Sequence, residues 1–400
     1  MDRGIKAFVD LLPVASDHEH HLPDEWFNEG MTLDRAMARA YVHWTGFKPD
    51  GTEASRRELL DNVRFNSYYV WFERGVQAIH GITEPITLEN WDAISRVVSK
   101  SYKDPRFHID ILKRSGYERI IQDAHWNPGD DMGHPEILIP AFRVDKFMHG
   151  HHKDCVTLDG FDVWKRYNFG GGGLDDYVEM MKRTIRARHT EGKVAALKCA
   201  DAYLRTIDFQ PDDRAGALSA FGKNTNDITP VEKRLFGNYI FNRACDLAAE
   251  LDVPFQIHTG LGDLRGSNPM LLEPTIARHP KTRFVLFHSG YPWISEVGAL
   301  SHNYGNVCPS LTWTATVSTE AAVRALDEYI DIASSINRIT WGGDSHVPED
   351  SVGALLAWRH IVARVLTRRL NDGVLSPSDA ERLAEKLMAG NVRMVYKLNR

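Results

Sequence analysis

The chain has 400 residues, 43% of them apolar and 26% charged, with a formal net charge of -6; it can bury a large core, as one barrel-sized domain or two smaller ones. The acidic balance leaves no basic footprint for nucleic acid, and no apolar run approaches the roughly 18 residues of a membrane span. The N-terminus MDRGIKAFVDLLP lacks a signal-peptide core, and Cys155, Cys199, Cys245 and Cys308 show no CxxC spacing, which predicts reduced thiols in a cytoplasmic protein.

Residues 11–15 (LLPVA) form a short apolar run, followed by Ser16-Asp17-His18-Glu19-His20-His21. Side chains alternate along an extended segment, so His18 and His20 fall on one side, where two imidazoles can grip one metal ion. A merely polar, His-rich loop is the alternative. From 23 to 104 the pattern turns helical and aromatic, with no period of two. This predicts a helical insertion whose aromatics (Trp26, Trp44, Tyr68, Tyr69, Trp71, Phe72, Trp91) pack its own small core or cap a pocket.

After Pro105 strand and helix alternate. A helix ends at Gly116 and YERIIQDAHWNPGDD enters a turn, with Asp123 and His125 at its tip. ILIPAFRVDKF is the next strand and carries Arg143. Gly170–Gly173 lacks the Lys-Ser/Thr of a phosphate loop and is taken as a hinge. VAALKCADAY places Lys198 inside a buried strand. Its charge requires compensation there, either by a salt bridge or by carboxylation into an anionic ligand. PFQIHTG and FVLFHSG are short apolar runs that end on His258 and His288, the pattern of strands buried on both faces. NVCPSLTWTA follows with Trp313, and RITWGGDSH ends on Asp344. About eight strands can be counted. Alternation of this kind implies a parallel sheet, and eight strands a closed (β/α)8 TIM barrel in a single domain spanning 1–400.

His18, His20, Lys198, His258, His288 and Asp344 are metal-ligand types at successive carboxyl ends of the strands, where α/β proteins bind ligands. A divalent cation there makes hydroxide available near neutral pH, and Asp344 can accept the water's proton and pass it to a leaving group. That is hydrolysis of an amide, ester or lactone of a small substrate. Arg143, Tyr203, Arg205, Tyr291, Trp293 and Trp313 lie at or near strand ends and can shape the pocket. Arg143 or Arg205 would suit a substrate carboxylate, or serve a salt bridge within the barrel.

The phrases His18-Glu19-His20, IHTGLGD, SNPMLL, FHSGYPW and WGGDSH are similar to those of the amidohydrolase superfamily. The resemblance is to its "amidohydrolase 2" branch of TIM-barrel metal-dependent hydrolases, which includes the amidohydrolase half of FluG-like fusion proteins. It is dense from 192 to 391. The helical stretch after His-x-His is also similar to the uronate isomerases of that superfamily. Ser16 departs from the aspartate that many relatives carry two positions before the first histidine. The resemblance implies that His18 and His20 hold a first metal, and that Asp344 binds it or sits beside its water. His258 and His288 then hold a second, or His288 bonds the substrate, and a carboxylated Lys198 bridges the two ions. Zinc is the expected metal, as one or two ions, with manganese as the alternative. Charge balance favours carboxylation if two ions bind and a plain ion pair if one does, and two ions with a carboxylated Lys198 are the expectation. Nonoxidative decarboxylation or uronate isomerisation on one ion is the alternative chemistry. The expected partner is a small molecule, with a homo-oligomer allowed.

Overall fold

The computed structural model describes residues 1–157 and 159–398. Seven parallel strands form one sheet in sequence order: β1 (Val14–Glu19), β2 (Tyr117–Gln122), β3 (Leu138–Arg143), β4 (Ala196–Cys199), β5 (Phe255–Ile257), β6 (Phe284–Leu286) and β7 (Val307–Pro309). Helices return the chain between them, for example Leu174–Thr190 before β4 and Pro230–Leu251 before β5. The result is a TIM-barrel-like α/β fold.

One expected strand is absent. Residues of RITWGGDSH form only an isolated parallel bridge, Ser310 to Thr340. They nevertheless bond to both sheet edges. Thr340 N–H donates to Pro309 O (3.0 Å), Asp17 N–H to Trp341 O (2.9 Å) and Asp344 N–H to His18 O (2.9 Å). The regular ladder fails because Gly342 and Gly343 press against β1. A Cβ on Gly342 would stand 2.6 Å from Asp17 Oδ1, and one on Gly343 2.5 Å from Glu19 Oε1. Asp17 secures the same seam, accepting from Ser310 Oγ (2.8 Å), Thr340 Oγ1 (2.6 Å) and Thr312 Oγ1.

Strand side chains alternate between two cores. Small residues (Ala15, Ala141, Ala196, Cys308) cluster with Val392, Val395 and Tyr396 of the C-terminal helical segment. Phe142, Leu197, Phe255, Phe284 and Leu286 face the surrounding helices. The run 11–15 is divided: Leu11 ends a helix (Arg3–Leu11), and β1 starts after Pro13 and runs through His18. Proline fixes its own φ and donates no amide hydrogen, which suits this break. Among the described residues no helix is long and apolar enough to cross a membrane, and the four cysteines are free.

Every regular element between β1 and β2 is helical, from Asp24–Asn28 to Phe107–Arg114. The aromatics of this stretch divide. Phe27, Tyr69, Phe72 and Trp91 form a separate small core, Trp71 joins the main core, and Trp44 lines the cavity described next. Helix Ser67–His80 lies on helix Pro348–Asn371 at backbone contact, since a Cβ on Gly75 would stand 1.9 Å from Glu349 O.

Candidate active site

A cavity of about 380 Å³ opens at the carboxyl ends of the strands. Four non-glycine residues adopt left-handed backbone here: His288 and Trp313 at φ 63°, Ser289 at 52° and Asp344 at 63°. Such conformations cost of order 1–3 kcal/mol each and persist where the surroundings impose them.

His18 is fully buried. Its Nδ1 meets Gln256 Oε1 at 3.1 Å, while Nε2 has no hydrogen-bond partner. That orphaned nitrogen is 3.4 Å from Asp344 Oδ1. His20 directs Nδ1 to the Asp123 carbonyl (2.8 Å) and Nε2 to the same Asp344 oxygen (3.4 Å). Ligand atoms around a tetrahedral zinc are separated by about 3.3 Å when the bonds are near 2.05 Å. The residues present therefore fit a divalent cation. Burial, then the charge of Lys198, holds the His18 imidazole well below its ordinary value, so the ring is neutral, the form a metal would require. Burial opposes ionisation of Asp344, but His20, His288 and His18 outweigh it and keep the carboxyl well below the carboxylate range. The hydroxyl of Tyr41 donates to Asp344 Oδ2.

A second group, Asp24, His108 and His134, differs in spacing. Asp24 Oδ1 is 2.9 Å from His108 Nε2 and 2.7 Å from His134 Nε2. These are hydrogen-bond lengths, and the group ties the helical stretch to the β2–β3 connection.

His258 and His288 contact each other rather than the His18/His20/Asp344 group, with His258 Nδ1 2.9 Å from His288 Nε2. Each outer nitrogen faces a carbonyl: His258 Nε2 the Leu261 O (2.5 Å), His288 Nδ1 the Thr312 O (3.1 Å). A carbonyl only accepts, so the outer nitrogens carry the hydrogens of two neutral rings. The inner lone pairs then face each other, with a place for one proton between them. Burial is the chief cause keeping both rings neutral, His258 well below its ordinary value and His288 at about 4.

Lys198 is buried on β4 with Nζ 3.8 Å above the centre of the Phe287 ring. No salt bridge compensates it among the described residues, so that alternative does not hold. The electron-rich ring face is its nearest compensation. Burial and Arg143 lower its pKa to about 8.

Arg143 lines the cavity, bonded through Nε to Asp123 Oδ2 (2.7 Å) and through Nη1 to Asp145 Oδ2 (3.3 Å). Tyr203 packs at a tilt against His258, with ring centres 4.4 Å apart, and also lines the cavity. Trp313 is buried behind the wall, against Tyr41 (4.8 Å) and His288 (5.2 Å). Tyr291 and Trp293 are half-buried and lie outside the cavity lining. Arg205 faces a neighbouring cavity. A turn at Asp201–Tyr203 redirects the chain after β4 and carries it there.

Sequence spacing missed Tyr41, Lys146, His149 and His346, which all line the cavity. His346 was readable, two residues past Asp344, and its ring stacks on His20 (5.1 Å).

The chain shares 31% identity over 224 residues with the protein fluG of Emericella nidulans, covering 52% of this chain and 26% of fluG. It shares 21% over 295 residues with the uronate isomerase of Bacillus subtilis, covering 66% of this chain and 60% of that one. It thus spans only part of the length of either relative. The crystal structure of a uronate isomerase from Thermotoga maritima superposes with a TM-score of 0.78 at 14% identity, over 98% of this chain and 96% of that one. Residues 182–398, more than half of the chain, match the family model described as amidohydrolase, and the chain belongs to that family.

Proposed function

We propose that the chain is a metal-dependent hydrolase that cleaves an amide, ester or lactone bond in a small, carboxylate-bearing substrate. The observation that carries this reading is the convergence of the orphaned His18 Nε2, His20 Nε2 and Asp344 Oδ1 at ligand–ligand spacing. These three would hold one divalent cation, with zinc the best match to two imidazoles and a carboxylate and manganese the alternative. When bound, such a cation lowers the pKa of a water and polarises a carbonyl oxygen.

The protein's own groups supply the rest. Asp344 accepts the water's proton while Tyr41 holds its second oxygen in place. Arg143, Lys146 and Lys198 line the cavity beside Asp145, Asp159 and Asp344, and of the three cations only Lys198 has, among the described residues, no ion pair to exchange for a substrate carboxylate. Lys198 is free of ion pairs and has a depressed pKa, so its amine can add carbon dioxide. A carboxylated Lys198 with a second cation would require His258 and His288 to separate. The single-cation arrangement needs no such change and is the one we adopt. The helical stretch 23–104 serves as a lid through Tyr41 and Trp44, and the eight-unit barrel is closed by residues 340–344. The free cysteines fit a reducing, cytoplasmic setting.

A second reading is isomerisation of a uronic acid. It is favoured by the likeness to uronate isomerases and by proton-carrying groups on several sides of the cavity. The deciding experiment incubates zinc- and manganese-loaded protein with N-acyl amino acids, lactones, γ-glutamyl amides and uronic acids. Hydrolysis of one of the first three classes is the expected result. Conversion of uronic acids to ketoses, without hydrolysis, would replace the first reading by the second.

Tyr41→Phe should leave metal content unchanged and lower kcat roughly tenfold, the worth of one hydrogen bond to a charged group. The acidic limb of the kcat profile should move with it, because Asp344 loses a donor. An unchanged kcat and profile would show that Tyr41 only packs.

A further inference from the structure

A second cavity of about 610 Å³ adjoins the active-site cavity, with His149, Thr157 and Leu204 lining both. The charged groups facing this second hollow are almost all engaged. Asp201 accepts from His149 Nε2 at 2.8 Å, Asp154 lies 3.4 Å from His152 Nδ1, and Arg234 pairs with Asp208 at 3.0 Å. Arg205 is the exception inside the wall. Its Nη2 donates to the neutral Asn238 Oδ1 (2.7 Å) and its Nε to Thr206 O (3.1 Å). The guanidinium lies 4.9 Å from the Phe209 ring centre. Gly237 makes room for Nη1, because a Cβ there would stand 2.9 Å from it. Among the described residues no carboxylate forms an ion pair with Arg205, nor with Lys233 at the exposed rim. A half-buried guanidinium with only neutral partners keeps an open, desolvated charge, which favours an anion.

We propose that the second cavity is a distal subsite for a carboxylate, so that the substrate has two ends: the reacting end beside His18, His20 and Asp344, and a far carboxylate that passes His149 and Leu204 to pair with Arg205. The subsite rests on the reading of the first cavity as the reactive one. It deepens that reading by naming the substrate class as an elongated acid with a terminal carboxylate distant from the scissile bond. A carboxylate fits better than a phosphate. One open guanidinium edge and one rim lysine match a single negative charge, and the Asp201 and Asp154 carboxylates nearby disfavour a second.

The test is calorimetric titration of the metal-loaded full chain with succinate, glutarate, adipate, pimelate and suberate, and with monocarboxylates of equal length. Binding should tighten with length to an optimum, where the second carboxylate adds roughly tenfold over the monocarboxylate, as expected for a hydrogen-bonded charge. Arg205→Met should remove that increment and leave succinate binding unchanged. Arg205→Lys should restore part of it, with both variants unfolding at the wild-type midpoint. Affinity independent of length, an increment that survives in Arg205→Met, or no binding of any dicarboxylate would overturn the proposal. The hydrolase reading is judged separately by metal content and by the substrate screen.

Discussion

Replacing His18 and His20 together by alanine should remove the bound divalent cation and lower kcat/KM by at least about 10³-fold, a loss of roughly 4 kcal/mol of transition-state stabilisation. The size follows from the geometry. Asp344 Oδ1 lies 3.4 Å from each imidazole nitrogen and would be left as a single monodentate ligand. The variant should still fold, because β1 is held by its own seam. That seam runs through Asp17 to Ser310, Thr312 and Thr340. Metal analysis after dialysis and steady-state kinetics on the substrate found in the screen provide the check. Full metal occupancy with retained activity would remove His18 and His20 from the centre.

The largest stability effect is expected at Gly75. Its Cα faces the backbone of helix Pro348–Asn371, and the added methyl of Gly75→Ala would sit 1.9 Å from Glu349 O and 2.9 Å from Gly353 N. Backbone cannot rotate out of the way as a side chain can, so the helices must separate. Overpacking costs about 1–3 kcal/mol and occasionally more, and a backbone clash this close belongs at the upper end. The damage should reach the site. The same contact seats the stretch that carries Tyr41, whose N–H donates to Asp350 Oδ2 at 3.2 Å. Urea unfolding should show a lower midpoint with an unchanged slope. A loss below about 1 kcal/mol would mean that the two helices approach less closely than described.

The strand-end histidines were legible because each follows a short apolar run, and a buried parallel strand leaves a mark in sequence that a half-exposed one does not. His18, His20 and Asp344 are brought together as the strand order implied. The eighth strand was misjudged for a local reason. RITWGGDSH has a strand's apolar start, but its two glycines allow close approach to Asp17 and Glu19 at the expense of a regular ladder. His258 and His288 line the cavity, but no spacing encodes that they face each other. Tyr41, Lys146 and His149 come from connections, where position is set by tertiary packing rather than by period. Arg205 illustrates the same limit: six residues beyond Cys199, it lies past a tight turn that sends it into the next cavity.

His18, His20 and Asp344 are proposed to hold one cation. Crystals of the zinc-loaded protein measured on both sides of the zinc absorption edge test this assignment most directly. One anomalous peak is expected about 2.1 Å from His18 Nε2, His20 Nε2 and Asp344 Oδ1, with Lys198 unmodified and the His258–His288 contact intact. A peak among Lys198, His258 and His288, or at Asp24, His108 and His134 with nothing at Asp344, would contradict it.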